Sequence, residues 1–131
     1  MSVAENIATV RRFYTAGPAD DDTLRHSFAR PDVVWHVPGD NPVSGRYEGQ
    51  AAVFEAIPKA MRPLDEWTIR VDDVMGNADL VVATFHVVAR RGDTKVETSG
   101  AHVFRFDDSG LVAEAWGFAG DQSGLDAVFT A

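Results

Sequence analysis

The sequence contains no cysteine. Disulfides, thiolate nucleophiles and cysteine-ligated zinc are therefore excluded together. Basic residues are also scarce: 12 Lys and Arg stand against 20 Asp and Glu, a formal net charge of −8, and they form no cluster. Phosphate backbones and anionic lipid surfaces would be repelled, so neither nucleic acid nor a membrane is an expected partner. No apolar run approaches the roughly 18 residues of a membrane span. Residues 1–12 have neither the basic start nor the apolar centre of a secretory signal, and a cytoplasmic location is expected. No linker, low-complexity stretch or internal repeat divides the 131 residues. One domain, residues 1–131, is the expectation at a length below about 150.

What is present is organised around residues 33–49. Val33 to Val37 is a strand of β-branched and aromatic residues that carries His36 in an otherwise apolar run, and Pro38-Gly39 stops it. Residues 41–49, with Asn41-Pro42, Ser44-Gly45 and Gly49, read as a loop. Upstream, Ser2 and Glu5 have capping-box spacing. Val3, Ile7, Val10 and Tyr14 then form one helical stripe that ends at Gly17-Pro18. Asp20 to Asp22 offer caps for a short helix with Leu24 and Phe28, which Pro31 ends. Downstream, Val53, Phe54, Ile57 and Met61 have helical spacing, with Pro58 expected to kink or break the last turn.

From Trp67 the period becomes two. Strands are expected over Trp67–Met75, Leu80–Arg90, Lys95–Phe106 and Leu111–Phe118, with turns at Gly76-Asn77, Gly92-Asp93 and Asp108-Ser109-Gly110. Helices followed by an antiparallel meander make an α+β arrangement: about three N-terminal helices cover one face of a curled sheet and enclose a pocket. The tail from Gly120 has room for one helical turn around Leu125 to Phe129. If Gly92-Asp93 is a two-residue turn, His102 opposes Ala83 and shares a face with Phe85 and Phe104. His86 then opposes Ser99 on the other face, unless a bulge at Gly100 shifts the parity.

The Tyr14-bearing helix, W-H-V-P-G at 35–39, N-P-V-S-G-R-Y-E-G at 41–49, H-V-F-R-F-D-D-S-G at 102–110 and E-A-W-G-F at 114–118 together resemble the nuclear-transport-factor-2-like superfamily, in its ketosteroid-isomerase and SnoaL-like polyketide-cyclase branch. The resemblance implies a conical α+β barrel, a homodimer built through the sheet, and an apolar pocket for a small hydrophobic molecule. It implies residue roles as well. Counting back from the Gly45 turn puts His36 at the general-base position of the steroid isomerases, and the Phe104-Arg105-Phe106 strand puts His102 at their oxyanion-hole acid. Tyr14 matches their oxyanion tyrosine, with Phe13 adjacent. Both acids of that family are histidine here, which replaces steroid isomerisation by an altered proton-transfer constellation.

His36 is thus the candidate general base, since an imidazole moves protons near neutral pH. His102 is the candidate acid or oxyanion donor, and Tyr14 a pocket hydroxyl. Each has a plainer alternative: a satisfied core histidine, a polar wall residue, a packing tyrosine. Phe54, Ile57, Met61, Phe85 and Phe104 are the expected apolar walls. Trp35, Trp116 and Phe118 read as core or dimer interface rather than ligand platform, and Asp40 and Asp121 as further groups at a pocket mouth. No histidine spacing matches a zinc site, so neither metal nor cofactor is expected. Two functions follow: a cofactor-free isomerase, cyclase or dehydratase acting on a hydrophobic carbonyl compound, or a non-catalytic ligand-binding or assembly module. Epoxide hydrolysis, with its Asp-Arg-Asp arrangement, finds no match.

Overall fold

The computed structural model describes residues 2–16 and 22–131. Ser2 and Glu5 close the expected capping box, each backbone N–H bonded to the other's side chain (3.3 and 3.1 Å), and α1 runs over Val3–Ala16. The expected stop at Gly17-Pro18 and the caps at Asp20 and Asp21 lie outside the described residues. Helix α2 is Asp22–Phe28, and β1 (Ala29–Val37) follows at once. Pro31 therefore sits inside the strand rather than terminating the helix. The segment expected to be a loop contains a short strand, β2 (Gly45–Glu48), antiparallel to the end of β1.

Ala52–Ala56 is a π-helical turn and α3 is Ile57–Met61. Pro58 lies in the first turn of α3, where a missing N–H leaves no helical bond unmade. The irregularity it forces is taken up by the wider turn before it. The meander is β3 (Glu66–Gly76), β4 (Leu80–Arg91), β5 (Thr94–Phe106) and β6 (Val112–Ala119). The tail is more than one turn: α4 spans Gln122–Phe129, capped by Asp121, whose side chain accepts from Gly124 N.

The strands form one curled sheet in the order β2-β1-β6-β5-β4-β3, antiparallel except where β1 meets β6. Edges β2 and β3 are not joined, so the cone stays open. Gly92 adopts φ +60 at the first position of the β4–β5 turn, and this two-residue connection keeps the register expected from it. His102 opposes Ala83 and His86 opposes Ser99, with no bulge at Gly100. A bulge does occur where β5 leaves β6, between Arg105 and Phe106.

Alternation then sorts the side chains. Val81, Ala83, Phe85, Val87, Phe104 and Ala115 point to the concave face, where the helices cover them. The main core joins Val81, Ala83, Phe104 and Ala115 to Val10 of α1, Phe28 of α2, and Trp35 and Val33 of β1. A second cluster of Ala89, Val96, Leu125 and Val128 holds α4 against β4 and β5. Among the described residues no helix is long and apolar enough to cross a membrane.

Candidate functional site

Between the helices and the concave face lies a cavity of about 480 Å³. Its walls come from every layer: Phe13 and Tyr14 of α1, Trp35 and Val37 of β1, Val53, Phe54, Ile57 and Met61 of the helical segment, Phe85 and His102 of the sheet, and Leu125 and Phe129 of α4. The expected walls Phe54, Ile57, Met61 and Phe85 are among them. Phe104 is not. It is fully buried beneath the cavity, its ring packed on those of Phe13, Tyr14, Phe28, Trp35 and His102, so it supports the floor without facing the space.

On that floor Tyr14 Oη is hydrogen-bonded to His102 Nδ1, the two rings lying nearly parallel (8°, centroids 5.9 Å apart). Phe85 and Trp35 flank the imidazole, at 4.7 and 5.2 Å between centroids. With no charged partner at hand, burial lowers the His102 pKa from 6.5 to about 4. Burial also pushes the Tyr14 phenol above its ordinary value. Both groups are therefore neutral at neutral pH. Such a dyad always leaves one proton unshared. If the phenol donates to Nδ1, His102 Nε2–H is free; if Nδ1–H donates to the phenol oxygen, the phenol's own O–H is free. A ligand oxygen can take that proton in either case.

His36 is not part of this site. Trp35, its neighbour, points into the core, so strand alternation sends His36 to the opposite, convex face. There it stacks on Trp116 (9°, 5.5 Å) and pairs through Nε2 with Glu114 Oε2 at 2.5 Å. Arg105 holds the other carboxylate oxygen at 3.3 Å. The hydrogen bond from His36, then that from Arg105, keep the Glu114 pKa below its ordinary value. The motif count put His36 at a base position, but in β1 it is Trp35 and Val37 that reach the cavity, one residue to either side. Trp35, expected in the core or an interface, is the β1 residue that reaches both core and cavity.

Asp40 and Asp121 do not face the cavity either: Asp121 caps α4, and the Asp40 side chain is in an exposed residue. Sequence reasoning overlooked a cluster of polar groups beside the cavity. Asp126 on α4 accepts from Asn41 Nδ2 (2.7 Å), Gln122 Nε2 (2.9 Å) and Asp40 N (3.2 Å). Burial opposes its charge, but these three bonds outweigh it, and its pKa is lowered. The bonds tie the loop after β1 to α4, and Gln122, Pro38 and Val43 of the joined segments line the cavity. Gly39, at φ +95, is where the two approach: a Cβ there would run into Gln122 Nε2 and Asp126 Oδ1. The only sequence trace of this clasp is that glycine, between Pro38 and Asp40.

A family model described as a SnoaL-like domain matches residues 10–115. Among solved structures, the chain is similar to a protein of unknown function with a cystatin-like fold from Xanthomonas campestris, at 29% identity over 98% of both chains with a TM-score of 0.83. It is similar to Bal32a from a soil-derived mobile gene cassette, at 25% identity over 97% of this chain and 98% of that one, with a TM-score of 0.85. An NTF2-like protein of unknown function from Burkholderia pseudomallei is similar at 22% identity over 100% of both chains, with a TM-score of 0.81. No curated protein matches the sequence.

Proposed function

Because the chain belongs to the SnoaL-like domain family of the NTF2-like superfamily, we propose that its cavity holds a small hydrophobic molecule whose carbonyl oxygen docks on the Tyr14–His102 dyad. The observation that carries this reading is the composition of the walls: one neutral hydrogen-bonding pair at the floor of an otherwise mostly apolar and aromatic space. Apolar burial supplies affinity and the dyad fixes orientation. The scheme in which His36 removes a proton while His102 donates one requires both in one cavity. It is not retained, since the two side chains lie on opposite faces of the sheet.

Of the two functions the sequence suggested, ligand holding is therefore the stronger, and the dyad supports one catalytic alternative. A neutral donor aimed at a carbonyl stabilises charge developing on its oxygen, the step shared by enolising isomerases, cyclases and dehydratases. Calorimetric titration with a neutral aromatic ketone such as fluorenone tests the binding reading. Saturable binding with a negative heat-capacity change is expected, weakened roughly tenfold in His102→Phe, about what one hydrogen bond contributes. A panel of neutral ketones that shows no saturable binding refutes it.

We also propose that a second copy of the chain covers the convex face of the sheet. His36, Trp116, Val103, Val82 and Met75 are aligned there, register partner to register partner, across five strands. Phe118, Met75 and Leu80 on the same face are 55%, 46% and 37% exposed. An apolar band of that extent is characteristic of an interface, and the Glu114–Arg105 and His36–Glu114 pairs beside it supply polar groups for orientation.

A further inference from the structure

Trp35 carries a polar group that neither the core nor the dyad uses. The residue is 7% exposed, with its ring against Phe13 and Phe104 and perpendicular to His102 (82°). An indole nitrogen donates one hydrogen bond and accepts none, and a buried tryptophan ordinarily finds an acceptor. Among the described residues Trp35 Nε1 has none, yet it is not sealed in: the enclosed side-chain polar atom left without a partner there is Asn6 Oδ1. Trp35 lines the cavity. The space left to its N–H is therefore the cavity's own.

We propose that Trp35 Nε1–H is a ligand-binding donor that converges with the Tyr14–His102 dyad on the oxygen of a neutral ketone- or quinone-type molecule. This deepens the pocket reading above and rests on it. Whichever way the dyad's shared proton lies, it presents one further proton, so with the Trp35 ring 5.2 Å from the imidazole the floor offers two donors. Two donors suit a carbonyl oxygen, which has two lone pairs. A hydrocarbon of the same shape leaves both donors stripped of water and unpaired, which costs affinity. A carboxylate is refused for a different reason. Among the described residues no Lys or Arg lines the cavity, the chain carries a net charge of −8, and an anion in an apolar enclosure without a counter-charge is strongly disfavoured.

Three probes of one ring system separate these terms: fluorenone, fluorene and fluorenecarboxylate, titrated against the full chain and against Trp35→Phe, which keeps an aromatic ring and removes the N–H. Wild type should prefer fluorenone to fluorene and bind the carboxylate weakest. Trp35→Phe should lose about tenfold for fluorenone, the worth of one hydrogen bond, and little for fluorene. A second readout needs no altered Trp35. The chain has three tryptophans, so its indole N–H resonances are few, and the Trp35 signal is the one that survives in both Trp67→Phe and Trp116→Phe. It should move downfield with fluorenone and not with fluorene. Equal losses for the two probes in Trp35→Phe, or an indole resonance indifferent to the ketone, overturn the Trp35 assignment while leaving the pocket reading intact. If wild type binds neither probe, the pocket reading falls and this inference with it.

Discussion

At the scale of the residue, adjacent positions on one strand have opposite fates. Trp35 and His36 are neighbours in β1, and the pleat sends one into the core and the other to the far side of the sheet. A motif count accurate to a single residue is therefore still too coarse to place a side chain in a cavity. His102 escapes this ambiguity because a two-residue turn fixes its register against β4. Its burial has a consequence for stability. With a pKa of about 4 in the folded chain and about 6.5 once unfolded, His102 binds its proton more readily in the unfolded state. Its contribution is therefore complete above pH ~6.5, declines as the pH falls towards ~4, and is level below that. The whole effect is at most about 3 kcal/mol, since part of the ring faces the cavity. Urea unfolding from pH 7 to pH 4 should show a steeper loss for wild type than for His102→Phe. Parallel curves would mean that the imidazole is not held neutral.

At the scale of the element, α4 turned from a weak tail signal into one wall of the cavity. Leu125 and Val128 bury it against β4 and β5, while Leu125 and Phe129 turn towards the pocket. Hydrophobic spacing over eight residues is short for a helix to announce itself, and what holds this one is a cap at Asp121 and a clasp at Asp126. Asp126→Ala removes the acceptor for Asn41, Gln122 and the Asp40 N–H at once. We expect a loss of about 1–3 kcal/mol in unfolding free energy, with faster amide exchange in α4 and in residues 39–44 but not in β4 or β5. Unchanged exchange in α4 would show that apolar packing alone retains it. The π turn makes a related point: Pro58 was expected to kink or break the last turn, and the disturbance instead lies in the turn before it, with Pro58 in the first turn of α3.

At the scale of the whole molecule, the sheet has two faces and the chain's helices cover one. Simple alternation along β5 and β6 would put Val103, Val112, Trp116 and Phe118 on the other. Three of these do face outward, but Val112 is fully buried in the main core. The bulge beside Arg105 and Phe106 inserts an extra residue in β6 and returns Val112 to the inside opposite Phe106. Met75, Val82 and Leu80 take its place in the exposed band. Light scattering at micromolar concentration should report about twice 14.2 kDa, and Val103→Asp, which places a charge in the middle of the band, should report a monomer. Wild-type monomer mass at that concentration would leave the convex face without its proposed partner.

The sequence by itself determined most of the elements and the family: capping box, hairpin turn and change of period at Trp67 are local facts, and local chemistry was sufficient for them. It also determined that His102 shares a face with Phe85, because a tight turn couples two strands at short range. Only the tertiary structure decided which residues meet across long separations. Tyr14 reaches His102, Asn41 reaches Asp126, and His36 finds Glu114 rather than the pocket. β1 joins the sheet through a parallel pairing with β6 that no turn prescribes, and its register shifts between Ala29 and Val34. The face each β1 residue takes was therefore settled by packing Trp35 and Val33 into the core, a cooperative choice that a single strand's sequence does not contain.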